Sequence, residues 1–142
     1  MGTYDTYKTD SKLEEEGTWV TMGDNSRVKI RRLSSNIARK AYDTAQKPFQ
    51  GVIRAANARG RQLPRDVDRT IVRDTLLNGV ITEWEGTTNV EGVVTPFSNK
   101  LEAEKILIDL PDYAAEIWTA ANDLDNFKKV SMEEAAKNSD AG

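Results

Sequence analysis

Gly17-Thr18-Trp19-Val20-Thr21-Met22-Gly23-Asp24-Asn25-Ser26-Arg27-Val28-Lys29-Ile30-Arg31 reads as two short strands around a turn. Thr18 to Met22 is β-branched and aromatic, Gly23 to Ser26 is turn chemistry, and Arg27 to Arg31 alternates basic with apolar. The alternation puts Val28 and Ile30 on one face and Arg27, Lys29 and Arg31 on the other, so one face packs and the other is solvated. A lone hairpin is marginal in water. It must lie on helices or pair with another copy.

Helices are what the remainder of the chain supplies. Ser34-Ser35-Asn36 offers N-cap residues to a helix carrying Ile37, Ala38, Ala41, Tyr42 and Ala45 on one stripe, and Lys47-Pro48 ends it. Phe49 to Arg59 forms a second short helix, and Gly60 to Pro64 breaks the chain. Val67, Ile71, Val72, Leu76, Val80 and Trp84 recur at helical spacing, which predicts one long helix from Arg65 to Trp84 despite the hairpin dipeptide Asn78-Gly79 inside it. Glu85 to Ser98 is a loop. Ser98 or Asn99 caps a helix with Leu101, Ile106, Leu107 and Leu110, and Pro111 opens another with Tyr113, Ile117, Ala120, Leu124 and Phe127 along one side. The fold class is α+β, mainly α-helical with an N-terminal β-hairpin. Residues 1–12 read as a flexible N-terminus, 13–130 as a single domain and 131–142 as a flexible C-terminal tail.

The chain has 142 residues with 38% apolar and 30% charged side chains, enough for one domain with a concentrated core. Its net charge of −3 hides three unlike blocks. Residues 1–26 carry 2 basic and 6 acidic side chains, residues 27–73 carry 13 and 3, and residues 74–142 carry 5 and 14. Such a split suits a partner of opposite charge, either nucleic acid on the basic block or another copy of the protein. Tyr42 and Phe49 are the only aromatics in that block, so no base-stacking platform is evident, and the acidic half repels a polyanion. Protein contacts are the better reading.

With no His and no Cys, disulfides, thiolate nucleophiles, Cys/His zinc sites and His-based triads are excluded. The glycines fit neither a dinucleotide fingerprint nor a P-loop. Asp123-Leu124-Asp125-Asn126 lacks the glycine and closing carboxylate of a calcium loop, and Glu83 and Glu85 are two apart and so do not share a helix face. No enzymatic activity, metal or cofactor is expected. No stretch approaches a membrane span and the N-terminus lacks a basic and an apolar signal region, so a soluble intracellular protein is expected. Trp84, Tyr113 and Trp118 are either core residues or an exposed hot-spot cluster.

The order Leu13-Glu14, Gly17, Trp19-Val20, the basic strand Arg27-Val28-Lys29-Ile30 and a helix from Asn36 to Tyr42 resembles the N-terminal half of tail assembly chaperones of long-tailed bacteriophages. Trp84-Glu85-Gly86, Gly92, Pro96-Phe97-Ser98, the Asn99 to Leu107 helix, Leu110-Pro111-Asp112, Ala121, Asp123 and Phe127 extend the likeness over residues 13–128. The resemblance implies a non-enzymatic factor in the cytoplasm of the infected host. It would hold the tape measure protein until tail tube protein polymerises around it, and be absent from the finished virion. It further implies a minority of chains lengthened by a translational frameshift that recruit tail tube protein; Lys128-Lys129 and Lys137-Asn138 are where slippery codons would fall. Self-association is expected from the complementary charge blocks. The contact residues expected are Arg27, Lys29 and Arg31 on the hairpin's outer face, with Trp84, Phe97 and Trp118. The alternatives are a minor structural virion protein, such as a head–tail joining subunit, and a nucleic-acid-binding protein using residues 27–73.

Overall fold

A computed structural model describes residues 2–128; the C-terminal tail expected at 131–142 lies outside the described residues. The elements follow in the order α1 (Thr3–Tyr7), α2 (Ser11–Glu16), β1 (Thr18–Thr21), β2 (Arg27–Ile30), α3 (Asn36–Gln46), α4 (Gln50–Ala58), α5 (Arg65–Thr75), β3 (Ile81–Glu85), α6 (Lys100–Asp109) and α7 (Pro111–Asn122). The protein is α+β and mainly helical. Its sheet is antiparallel, with the strands in order β1-β2-β3.

The hairpin forms as the alternation requires. Thr18 pairs with Ile30 and Val20 with Val28, and Val28 and Ile30 are fully buried. Helices cover that face. Leu76, Val80, Ile117 and Phe127 join the two strand residues in the main core, while Ala45, Val67 and Ile71 form a second cluster with Phe49, Ile53 and Leu63.

The expected helix from Arg65 to Trp84 is instead three elements. α5 ends at Thr75, a π-helical turn covers Leu76–Val80, and Ile81–Glu85 is the third strand. The register explains the misleading spacing: Lys29 faces Glu83 but Ile30 faces Ile81, so Thr82 is the extra residue of a β-bulge. The bulge lets Ile81 and Trp84 both point inward although they are three apart, a separation that a regular strand forbids and a helix favours.

At the N-terminus, where the sequence shows no period, Thr3–Tyr7 form a short helix with no buried residue. The Asp10 carboxylate accepts from the Lys12 and Leu13 amides to cap α2, and the Asp10 amide donates to the Phe127 carbonyl at 2.7 Å. Ser35 precedes α3, as its sequence suggests, but its hydroxyl is buried without a partner among the described residues. The Glu15 carboxylate accepts from the Asn36 amide in its place, with both oxygens at 3.2 Å, and puts an anion at the positive end of α3. Asn99 caps α6 and Pro111 opens α7, both as the sequence indicates.

Candidate interaction surface

The three charge blocks meet within one chain. Arg32 pairs with Glu14 at 2.6 Å, joining the basic block to the acidic N-terminus, and Arg27 approaches Glu85 at 3.6 Å, joining it to the acidic half. The Arg31 guanidinium donates to the carbonyls of Glu15 at 2.9 Å and Gly79 at 3.3 Å, clasping α2 to the π-turn. The Arg27 guanidinium lies 5.0 Å from the centre of the Trp19 ring. Lys29 stands between Trp19 and Glu83 in register. The hairpin's outer face is therefore less free than the sequence suggests, because Arg27 and Arg31 already hold neighbouring elements together.

Trp84 and Phe97 are not surface residues. Each is 6% exposed. Their rings meet edge to face at 5.0 Å, and Trp84 Nε1 donates to the Thr95 carbonyl at 2.8 Å. Strand pairing between Trp84 and Val28 turns the indole inward, and Phe97 follows it under the loop. As contact residues both are corrected to core. Trp118 differs: it is partly buried and its ring packs on the half-exposed Tyr42 at 6.1 Å.

Tyr113 joins this core to the turns. Its ring lies 6.3 Å from Trp84, and its hydroxyl is 2.8 Å from Ser26 Oγ and 2.9 Å from Thr87 Oγ1. Burial chiefly, with the nearby Asp24 and Glu116 carboxylates, raises its pKa against the opposing effect of the two hydroxyl contacts. Because the folded state favours the neutral phenol, its contribution is complete below the ordinary value near 10 and is lost as pH climbs above it. Tyr113→Phe is expected to cost about 1–2 kcal/mol at pH 8, from the two lost hydroxyl partners. The gap from the native protein should narrow in denaturant titrations at pH 10.5. An unchanged gap would show that the phenol does not titrate with unfolding.

Trp118 opens onto a groove of about 830 Å³ between α5 and the α6–α7 corner. Val72, Leu107, Ala114, Ala115 and Trp118 supply its apolar lining, and Arg65, Arg69 and Arg73 rise at one-turn intervals along α5. Arg73 pairs with Asp74 at 3.2 Å, while Arg65 and Arg69 make no ion pair among the described residues. Ile108 beside the groove and Leu110 at the α6–α7 corner are about half exposed.

A second apolar surface lies on the loop after β3. Val90, Val93 and Val94 are 78%, 58% and 63% exposed. The loop is nevertheless held: Thr88 bridges Val94, the Asn89 amide donates to the Val93 carbonyl, and the Asn89 side-chain oxygen accepts from the Glu91 and Val93 amides at 3.0 Å each. Sequence reading passed over these valines, although Asn89 and Gly92 between β-branched residues is a turn signal that could have found them.

Among the described residues, no group of three or more acidic, His or Cys side chains could hold a metal ion, and no helix is long and apolar enough to cross a membrane. Fold and surface together define a small α+β domain with two unfilled apolar features and a strongly divided charge. The chain belongs to the family of YdaY prophage proteins, which matches residues 27–138 and marks it as phage-derived. No curated protein and no solved structure matches it.

Proposed function

We propose that the protein is a tail assembly chaperone, a non-catalytic factor whose copies associate and shield the tape measure protein in the host cytoplasm until tail tube protein assembles around it. The observation that carries this reading is the apolar groove containing Trp118, left open in a domain of a prophage family. An unfilled apolar surface of this kind marks a site of protein contact. A holder of an unassembled helical protein needs such surfaces in many copies and no reacting group. Recruitment of tail tube protein by a frameshifted longer form, and absence from the mature virion, belong to the same proposal.

Co-expression with the tape measure protein of the same phage tests it. The partner should remain soluble and copurify, and Trp118→Ala should reduce its recovery several-fold with the variant's own fold intact by circular dichroism. A tape measure protein that aggregates equally with and without the chain overturns the reading. Recovery of the chain in stoichiometric amounts from purified particles would favour a structural virion protein instead.

A further inference from the structure

We propose that α4 and the cations flanking it form a docking surface for duplex DNA, with the helix laid in the major groove and the cations set against the phosphates on either side. This partner goes beyond the chaperone reading. No residue of α4 lines the Trp118 groove, and neither inference depends on the other.

The folded chain narrows the basic block to one lobe. Arg27, Arg31 and Arg32 are engaged with Glu85, with backbone carbonyls and with Glu14, so the first part of the block is spent inside the molecule. Between Asp43 and Asp66 the chain carries Lys47, Arg54, Arg59, Arg61 and Arg65 and no carboxylate. All five cations are exposed, and none makes an ion pair among the described residues. The lobe packs through its own cluster of Ala45, Val67 and Ile71 with Phe49, Ile53 and Leu63. The carboxylates from Glu83 onward follow on β3, α6, α7 and their connections, which build the main core instead. Charge of one sign, left unbalanced on one lobe, complements a polyanion.

α4 presents a surface that admits close approach. Seven of its nine residues are exposed. Ile53 and Ala56 turn inward, leaving Gln50, Arg54 and Asn57 on one outward stripe and Gly51, Ala55 and Ala58 on the next. The polar stripe lines an open cleft of about 500 Å³ with Gln46 and Lys47, in which Asp43 is the one carboxylate. Arginine and side-chain amides pair with base edges and phosphates in the major groove, and small side chains beside them let the helix come near. Gly60, at φ +62°, turns the chain back, and the Arg61 amide donates to the Ala56 carbonyl at 2.9 Å. Arg59 and Arg61 are thereby held at the end of α4.

The composition of this surface selects the partner. The centre of a protein interface is depleted of charge and rich in aromatics, whereas DNA interfaces are polar and strongly positive. Val52, at 40% exposure, is the only large apolar side chain exposed on α4. The lack of stacking aromatics disfavours a single strand but not a duplex, whose bases are already stacked. A helix about 10–12 Å across fits the B-form major groove, about 12 Å wide, and not the deep, narrow one of duplex RNA.

Fluorescence anisotropy with a labelled DNA duplex of mixed sequence tests the proposal. The native chain should bind at low salt, with log affinity falling against log salt at a slope of about −3 to −4 if Lys47, Arg54, Arg59 and Arg61 each meet a phosphate. Arg54→Glu with Arg61→Glu should weaken binding by about tenfold or more and reduce the slope by about two. Lys12→Glu with Lys105→Glu makes the same charge change at exposed positions off the lobe and should cost only about twofold. Ala55→Tyr adds bulk to the outward stripe without changing charge and should weaken binding several-fold. All these positions are exposed, so circular dichroism and melting should match the native protein. The proposal is overturned if the native chain does not bind the duplex at low salt, if the Lys12 and Lys105 pair costs as much as the Arg54 and Arg61 pair, or if Ala55→Tyr binds like the native chain. It is equally overturned if poly-glutamate of equal charge or duplex RNA of the same sequence competes as well as the DNA, the first of which would reassign the lobe to an acidic protein.

Discussion

Gly79→Ala should lower stability by about 3 kcal/mol, near the top of the range for overpacking a closed interior. Gly79 sits in the π-turn at the point where α3 crosses it. A Cβ built there collides with the Ala41 methyl and lies 3.0 Å from both the Ala38 Cα and the Ile37 carbonyl oxygen. Two of these three obstacles are backbone, so the strain cannot be relieved by rotating a side chain. α3 would have to move away from the core, losing contacts around Ala38, Leu76 and Val80. For a chain of this size the melting temperature should fall by about 10 °C. Gly51 is the matched control: it lies in the first turn of α4, and among the described residues a Cβ there meets nothing within 4 Å. Gly51→Ala should stabilise by about 0.5–1 kcal/mol, since alanine loses less backbone entropy on entering a helix. If both variants melt alike, close packing of α3 on the π-turn is not what selects glycine at position 79.

The same turn shows where legibility ended. Asn78-Gly79 lies in a π-turn and not a hairpin, and the glycine answers to a neighbouring helix from forty residues earlier, a constraint that no local pattern carries. The third strand was hidden for a different reason. Its bulge at Thr82 converts the two-residue repeat of a strand into a three-residue interval, and Val80, Ile81 and Trp84 then continue the helical spacing of Val67 and Ile71. Elements defined by short-range chemistry were readable: Val28 and Ile30 by alternation, α6 by its Asn99 cap, α7 by Pro111 at its first turn. Trp118 is conspicuous in the sequence as an aromatic, but its place in the groove follows from the packing of α5 on α7. Charge could be counted but not allocated, because Arg32 with Glu14 and Arg31 with the Glu15 carbonyl are long-range contacts inside one chain.

Trp84→Ala should destabilise by about 3–5 kcal/mol, a large share of the about 5–15 kcal/mol of an ordinary domain. Three losses coincide at this position. The indole leaves a void facing Phe97 and Tyr113, the edge-to-face contact at 5.0 Å disappears, and the Thr95 carbonyl loses the donor that satisfied it at 2.8 Å. The void also undermines the loop that carries Val90 to Val94, since Thr95 closes that loop's base. A binding assay on Trp84→Ala would therefore report lost contact through loss of the fold alone. Trp84→Phe separates the effects in part: it keeps an aromatic ring against Phe97 while removing the N–H and three ring atoms, so it should cost about 2–3 kcal/mol, less than Trp84→Ala. If Trp84 acts solely as core, Trp84→Phe retains binding at temperatures where it stays folded, and residual binding across both variants tracks the folded fraction measured by melting. Binding that falls well below that fraction in Trp84→Phe would return the indole to the interaction surface.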